Sequence, residues 1–505
     1  MANPTTSVDR DAFFRTEHLQ VDLKVRSARG GAITLVSQGL KFLIMMAGTM
    51  VLSRLLRPID YGLIGMVVVV TGFISMFKDL GLASATIQRE HITHEQISTL
   101  FWINVGLSAV VMLVTAAIAP LIAWFYGDSR LTTITIVFSL GFLIGGLSVQ
   151  HEALLRRQMR FLRLAVIDVV SLLAAPLVGI FLALRGAGFW ALVFGQLATS
   201  LTTTIGVWIA CRWRPGFAMR DSGVRSMLRF GGNITGFAVI NYFARNLDNM
   251  LIGKVWGPQQ LGLYARAYQL LLLPIEQVNA PITAVAVPTL SRLGDSPERY
   301  REAYMRMLEA VAILTMPGVA FMIVTSDWIV ALVLGPQWRD TAMIFSILGV
   351  SGLFQPIANT TGWLFISQNR THQMFRWGLI YCSAIIVGII AGLAWGAKGV
   401  ATSYTLTMLC MMPLLFWYVG RSGPVRGGDF YRAMTPATIA SLSILVALYL
   451  LRRWAPAVSS LEGILLSMVV SSVVTVLVLL VLAPGRKALQ NMRELIPILF
   501  RRTDS

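Results

Sequence analysis

Long apolar segments set the strongest limit on what this chain can fold into. Of its 505 residues, 56% are apolar and 13% are charged, whereas a soluble domain carries about 25% charged residues. Short polar segments separate apolar runs of the length that an α-helix needs to cross a bilayer, about 20 residues. The runs lack the alternation of a membrane β-barrel. The pattern therefore predicts an all-α, polytopic membrane protein.

Fourteen apolar segments are long enough to span a membrane. We expect them at residues 31–53, 60–86, 98–125, 131–152, 164–184, 188–211, 230–253, 260–289, 307–326, 341–366, 375–394, 398–419, 434–452 and 461–483. Each is joined to the next by a short polar loop. The loops leave no room for a separate soluble domain.

An internal duplication organises these segments. Pro58 and Gly62 in LSRLLRPIDYGL recur as Pro258 and Gly262 in LIGKVWGPQQLGL. Further matches keep the same order at an offset of about 200 residues, as when GGAIT recurs as GGNIT. A repeat at a fixed offset indicates two copies of one structural unit. We therefore expect two pseudo-symmetric lobes of six helices each, followed by two helices without a counterpart.

The duplication gives a domain plan. Residues 1–29 form a cytoplasmic N-terminal arm, 30–222 the N-lobe, 223–425 the C-lobe, and 426–505 two extra transmembrane helices with a cytoplasmic tail. Because six is an even number of crossings, both lobes enter the membrane from the same side. Such lobes are related by an axis along the membrane normal, and a cavity between them is the expected substrate site for alternating access.

Basic residues predict the orientation. The net charge is +18, and 29 of the 42 Lys and Arg residues fall in segments that are cytoplasmic if the N-terminus is inside, against 9 in outer loops. The positive-inside rule then places both termini in the cytoplasm. The same rule accounts for the charge without a nucleic-acid partner, since no patch of interleaved aromatic and basic residues is present.

Enzyme signatures are missing from the sequence. It contains no phosphate-binding Gly-rich loop with a Lys, no zinc-ligand spacing and no nucleophile elbow. The three cysteines have no paired spacing,. We therefore expect neither a catalytic residue, nor a metal, nor a cofactor. Of the five histidines, His18 lies in the N-terminal arm and the others, His91, His94, His151 and His372, lie at loops or helix ends, and we expect all five to be solvated.

Charged residues inside the spans are candidate site residues, because each costs about 2.5–3.5 kcal/mol at a helix centre unless it faces a cavity or a partner. Lys41, Arg245 and Arg266 are basic candidates that could bind a diphosphate,. Lys41 has no local partner in the sequence, which favours a polar cavity. Arg245 could instead be neutralised by Asp248 three residues later, and Arg266 could simply reach the interface.

Acidic residues inside the spans are candidates for ion coupling. Asp79, Asp248 and Glu276 are in this group. Asp79 could instead form an internal pair with Lys78. Glu276 lies between two prolines, which fits either a gating site or a kinked structural helix.

Polar side chains in the tenth predicted span offer hydrogen bonds to a sugar. Gln355 and Asn359 are the candidates. Packing hydrogen bonds between helices explain such residues equally well.

Three segments resemble the polysaccharide-transporter family of the MOP flippase superfamily, in particular its Wzx-type exporters. They are GTMVLSRLLRPIDYGLIGM, DLGLASATIQRE and LGLYARAYQLLLLPIEQVNAPITAVAVPTLSRL, and the resemblance covers most of residues 30–420. It implies a two-lobed, V-shaped fold and an inner-membrane location. It also implies that Lys41, Arg245 and Arg266 contact the diphosphate of the substrate.

The resemblance carries a function as well. It implies ion-coupled flipping of polyprenyl-diphosphate-linked oligosaccharide to the periplasmic leaflet, for lipopolysaccharide or exopolysaccharide synthesis. Membrane lipid, the pathway's polymerase and its glycosyltransferases are the partners it suggests. The alternatives are a multidrug or cation antiporter of the same superfamily, which favours acidic cavity residues, and a polysaccharide polymerase, which needs a large outer loop.

Overall fold

The computed structural model describes residues 23–76, 82–89, 92–217, 225–454, 460–483 and 485–486. Side chains are not described for residues 23–36, 82, 85, 88, 225–241 and 243–245. Within these ranges the regular structure is helical, and no described residue lies in a β-strand.

Sixteen α-helices, labelled α1 to α16 in chain order, make up the described chain. They are α1 Leu23–Leu55, α2 Pro58–Ser75, α3 Leu82–Gln88, α4 His94–Tyr126, α5 Arg130–Gly146, α6 Val149–Arg157, α7 Phe161–Leu184, α8 Trp190–Cys211, α9 Arg225–Arg292, α10 Pro297–Val324, α11 Ser326–Val333, α12 Arg339–Ser367, α13 Thr371–Gly392, α14 Gly396–Gly420, α15 Gly427–Trp454 and α16 Ser460–Val481. Two short 3₁₀ helices, Pro336–Trp338 and Leu393–Trp395, join neighbouring helices.

The prediction of an all-α, multi-pass membrane protein is confirmed. In the described residues, eleven helical segments are long and apolar enough to cross a bilayer, and two of these are long segments of 47 and 50 residues. Large apolar side chains such as Leu113, Leu177 and Ile209 are exposed on the helices, as expected for surfaces that contact lipid. Each of the fourteen predicted segments overlaps a helix, but the number of crossings stays a prediction.

The described chain divides into two compact units, with the division between Gln259 and Gln260. The first unit contains α1 to α8 and the beginning of α9. In this unit α7 packs on both α1 and α8, and α4 packs on α5. The predicted lobe boundaries at 222 and 425 stay predictions.

Local sequence signals explain where the helices of the first unit begin and end. Thr93 caps α4 by accepting the backbone N–H of Gln96 at 3.3 Å, while the Gln96 side chain accepts the N–H of Thr93 at 3.2 Å. This reciprocal arrangement satisfies two donors that the first turn of a helix leaves free. The same helix ends at Gly127, whose φ of 75° suits a residue without a Cβ atom,.

His151 contradicts the expectation that the histidines are solvated. Its side chain is fully buried and stacks on Trp208, with ring centroids 4.5 Å apart, while Phe101 and Trp213 lie at its edges. The sequence places His151 near a helix end, but the segment after α8 folds back over it. Trp213, in this segment, donates a hydrogen bond to His94 at 3.1 Å.

The second unit contains the remainder of α9 and α10 to α16. Aromatic side chains form much of its core, and Phe416 stacks on Phe430 with ring centroids 4.4 Å apart. Tyr304, on α10, packs edge-on against Phe430 and hydrogen-bonds to Thr360 at 2.8 Å. These contacts join α10, α12, α14 and α15.

Ion pairs fix both ends of α15 to neighbouring helices of this unit. Near its start, Asp429 accepts two hydrogen bonds from Arg301 of α10, at 2.5 and 2.8 Å. Near its end, Arg452 donates to both carboxylate oxygens of Asp327, at 2.9 and 2.5 Å. Both pairs use the parallel, two-bond geometry that guanidinium and carboxylate groups favour. The first of the two extra helices is thus packed into the second unit.

Candidate functional site

Lys41 and Asp168 form an ion pair inside the first unit. The Lys41 Nζ atom lies 2.5 Å from the Asp168 Oδ2 atom, which joins the middle of α1 to the first third of α7. The helices are also closely packed two turns further along, where a Cβ atom on Gly48 would lie 3.0 Å from the Cβ of Pro176.

The pair is half-buried, with Asp168 on α7, one of the eleven candidate spans, and Lys41 on α1, which the sequence predicts to be a span. The side chain of Lys41 is 23% exposed and that of Asp168 is 43% exposed. A charged group in the hydrocarbon region faces the bundle interior or water, because contact with lipid is costly. The exposed fraction of both side chains therefore favours an aqueous surface over a lipid-facing one.

Asp168 was not among the sequence candidates. It is the sole acidic residue in the sequences of α1, α7 and α8, and it stands in the apolar run LAVIDVVSLL. A lone acid in an apolar span was the signal that could have found it. Its partner, however, lies 127 positions earlier in the chain, so the pair itself depends on how α1 and α7 pack.

Two buried hydroxyl groups lie within one turn of the pair. Ser37 precedes Lys41 by four residues, and Ser171 follows Asp168 by three. Both side chains are buried, and neither hydroxyl has a hydrogen-bond partner among the described residues. Unsatisfied buried hydroxyls are costly in a membrane protein. The hydroxyl groups of Ser37 and Ser171 are therefore available to form further hydrogen bonds near the pair.

The other predicted charged candidates lie in different settings. Asp248 is buried, and its carboxylate accepts the backbone N–H of Asn249 at 2.7 Å. Arg266 is half-buried and donates to Gln269 at 2.8 Å. Glu276 is exposed. Arg245 lies in α9 with its side chain outside the described residues, and Asp79 is outside them altogether.

Gln355 belongs to a polar and aromatic cluster in the second unit, which we call the tyrosine cluster. Its amide nitrogen lies 3.4 Å from the hydroxyl of Tyr268, and that hydroxyl lies 3.5 Å from the hydroxyl of Tyr404. These distances are long compared with the 2.7–2.8 Å typical of hydroxyl hydrogen bonds. The Gln355 carbonyl oxygen is buried and has no partner among the described residues. Asn359, one turn further, is exposed.

The repeated Pro-Gly motifs take similar positions in the two copies. Pro58 is the first residue of α2, where the missing N–H of proline costs nothing. Pro258 follows Gly257, whose φ of 77° and ψ of −178° interrupt α9. Gly62 is buried, and a Cβ atom added to it would collide with the carbonyl oxygen of Pro258. Gly262 is also buried, in the continuation of α9.

These features agree with a match to a known family. The model of a family described as polysaccharide biosynthesis protein matches residues 51–343, which is more than half of the chain. The protein is a member of this family. The match includes both Pro-Gly motifs and Asp168.

Individual relatives match most of the chain at low sequence identity. The lipopolysaccharide biosynthesis protein WzxC of Escherichia coli is 27% identical over 427 residues, covering 83% of this chain and 82% of the relative. The succinoglycan biosynthesis transport protein ExoT of Rhizobium meliloti is 25% identical, covering 88% and 90% respectively.

A solved structure shares the fold. The lipid II flippase MurJ, in an inward closed conformation, aligns with a TM-score of 0.70 and covers 89% of this family member and 98% of its own chain. The sequences are 13% identical, so the similarity establishes the fold and not the substrate.

Proposed function

We propose that the protein flips polyprenyl-diphosphate-linked oligosaccharide repeat units from the cytoplasmic to the periplasmic leaflet of the inner membrane. The units would then serve lipopolysaccharide or exopolysaccharide synthesis. The proposal rests on the family match together with relatives named for lipopolysaccharide synthesis and succinoglycan transport. It describes a transporter and involves no catalytic residue.

One observation in the structure supports the proposal, namely the half-exposed ion pair between Lys41 on α1 and Asp168 on α7, two helices that the sequence predicts to span the membrane. A polyprenyl diphosphate is an anion whose charge must pass the hydrocarbon layer. A fixed cation within the spans lowers the cost of that passage, because charge-assisted hydrogen bonds to phosphate are strong away from bulk water. The proposal assigns this role to Lys41, with Arg245 and Arg266 as further basic contacts.

The tyrosine cluster supplies a second kind of contact. Hydroxyl and amide groups that satisfy one another poorly can bond to the hydroxyl groups of a sugar, while aromatic rings pack against its apolar faces. We assign the oligosaccharide to Gln355 and Asn359, and the ion-coupled movement to Asp79, Asp248 and Glu276. The pathway's polymerase and glycosyltransferases are the proposed partners, and both termini are proposed to be cytoplasmic.

Lipid extraction from cells lacking the protein tests the function. We expect complete, unpolymerised repeat units on polyprenyl diphosphate to accumulate in the cytoplasmic leaflet, where an external oxidant that does not cross the membrane leaves their sugars intact. Single repeat units exposed on the outer leaflet would instead assign the protein to polymerisation. Unchanged lipids would favour the drug or cation antiporter.

A point substitution tests the assignment of the cation. Lys41→Ala is expected to abolish export while the protein still reaches the membrane in normal amount. The matched control is Lys254→Ala, since Lys254 reaches the backbone carbonyl of Phe125 and packs over its ring. Normal export by Lys41→Ala would remove this residue from the substrate path.

A further inference from the structure

We infer that Asp168 is a built-in counter-ion that a phosphate group of the substrate displaces from Lys41. The inference rests on the proposed function, because it concerns how a lipid diphosphate enters and leaves the same site. It assigns a role to a carboxylate that forms a 2.5 Å contact with Lys41.

The energetics of an isolated lysine explain why a counter-ion is needed. An unpaired Lys that is largely buried within a span is costly, and the Lys41 side chain is 23% exposed, so a site built from Lys41 alone would be less stable between transport cycles. Asp168 lowers this cost while no substrate is bound. The acid comes from α7 and the base from α1, so the pair also holds the two helices together at this level.

Asp168 is the one acidic residue on three helices of the first unit. The helices α1, α7 and α8 pack together, and their sequences contain no other Asp or Glu. The basic residues of these helices, Lys41 apart, lie within about two turns of a helix end, as Arg54 and Arg163 do. Removing the Asp168 carboxylate therefore leaves Lys41 without an acidic partner on α1, α7 or α8.

A phosphate can take the place of the carboxylate. The ammonium group of Lys has three N–H donors and acts as a point charge without directional preference. A diphosphate carries more charge than a carboxylate and offers more acceptor oxygens, so exchange is favourable. The 43% exposure of the Asp168 side chain gives the displaced carboxylate access to water. The unpartnered hydroxyls of Ser37 and Ser171 are further donors within a turn of the exchange.

Exchange suits transport better than simple binding. A transporter must hold its cargo strongly enough to load it and weakly enough to release it. When phosphate binding breaks an existing ion pair, the net gain is the difference between two attractions to Lys41. When the phosphate leaves, Asp168 returns, and the site is never left as an uncompensated charge.

Binding measurements on the full-length protein in lipid nanodiscs test the inference. The probe is undecaprenyl diphosphate, with undecaprenol as the ligand that lacks phosphate. We expect Asp168→Asn to bind the diphosphate about tenfold more tightly than the wild type, a size typical of coupling between two ligands. Undecaprenol is expected to bind both proteins equally.

Two further variants isolate the exchange. In the Lys41→Gln background the gain from Asp168→Asn is expected to disappear, because no cation remains for the carboxylate to block. Asp128→Asn is the control, since it breaks a 2.6 Å pair with Arg130 in the turn between α4 and α5. That variant is expected to leave diphosphate affinity unchanged.

Several outcomes would overturn the inference. They are unchanged or weaker diphosphate binding by Asp168→Asn, and a gain in affinity that persists without Lys41. Thermal unfolding is measured on the same samples, and Asp168→Ser replaces the Asn variant if the latter is unfolded. If Asp168→Asn and Asp168→Ser are both unfolded, the ion pair is needed for the fold, and the exchange is refuted.

The proposed function is tested separately. Wild-type protein in vesicles must move lipid-linked oligosaccharide between leaflets, whatever the behaviour of Asp168. Movement by the wild type with no tighter binding by Asp168→Asn would refute the exchange alone. Absence of movement by the wild type would refute the flippase.

Discussion

Gly62 on α2 lies directly against the carbonyl oxygen of Pro258, and both residues belong to the first unit. A Cβ atom at Gly62 would overlap this backbone oxygen, and backbone can move aside far less easily than a flexible side chain. The duplicated motif therefore marks a point of close helix packing as well as a turn.

The first prediction concerns Gly62→Ala. We expect it to lower the free energy of unfolding by about 1–3 kcal/mol or more, the range for overpacking a well-packed site. The control is Gly106→Ala in the interior of α4, where an added Cβ meets no atom within 4 Å and alanine favours the helix. Thermal unfolding in detergent should separate the two variants, and equal melting temperatures would contradict the close contact.

The helix start at Pro58 and the helix break at Gly257 have local causes. Pro58 begins a helix through its own fixed backbone, and Gly257 breaks one through its φ of 77°,. Segment length and apolar content likewise predicted the helices. The contact between Gly62 and Pro258 joins positions about 200 residues apart in the sequence and could not be predicted from either motif alone.

The charged candidates show the limit of sequence reasoning more clearly. The apolar setting of Lys41 indicated a functional residue, yet its partner Asp168 was missed because tertiary packing of α1 on α7 creates the pair. The prediction that His151 is solvated was wrong for a related reason. Its place near a helix end suggested solvent, but the chain after α8 folds back and buries it.

The second prediction concerns the ion pair between Arg301 and Asp429. The Asp429 side chain is 7% exposed, and its carboxylate also accepts the backbone N–H of Arg426 at 2.9 Å. The Arg301 guanidinium donates two hydrogen bonds to it, so Asp429→Asn leaves a poorly satisfied group at the start of α15. We expect a loss of about 1.5–3 kcal/mol in the free energy of unfolding, since hydrogen bonds to charged groups contribute this much.

A double-mutant cycle measures that interaction. Arg301→Gln combined with Asp429→Asn should cost less than the sum of the single variants, because each removes the same pair. The control is Glu302→Gln, which breaks an exposed pair with Arg306 on the same helix. Exposed pairs of this kind contribute about 0.3–0.5 kcal/mol. If the losses of the two single variants simply add in the double variant, the Arg301–Asp429 pair contributes no more than such an exposed pair, and the prediction is wrong.

The third prediction concerns the other end of α15, where Arg452 contacts three groups. Its guanidinium binds both oxygens of Asp327, donates to the carbonyl of Val324 at 2.5 Å, and lies 4.4 Å from the ring centroid of Trp328. A lysine keeps the charge but loses the two-bond fork and most of the stacking. Arg452→Lys should therefore lower the melting temperature, while Arg453→Lys, at the neighbouring exposed position, should not. Similar melting temperatures for the two variants would contradict the assigned contacts.

The fourth prediction concerns the tyrosine cluster and the sugar part of the substrate. Tyr268→Phe removes one hydroxyl and Gln355→Leu removes the amide. Both substitutions keep the volume of the side chain close to the original. If these groups bind sugar hydroxyls, each change should slow the flipping of lipid-linked oligosaccharide several-fold, since a site built to hydrogen-bond a hydroxyl depends strongly on that bond. Flipping of undecaprenyl diphosphate without sugar should be unaffected in the same vesicles.

Tyr431→Phe, at an exposed tyrosine on α15, is the control that loses a hydroxyl elsewhere. Equal slowing of both lipids would show that the cluster supports the fold or the movement of the protein, and not recognition of the sugar.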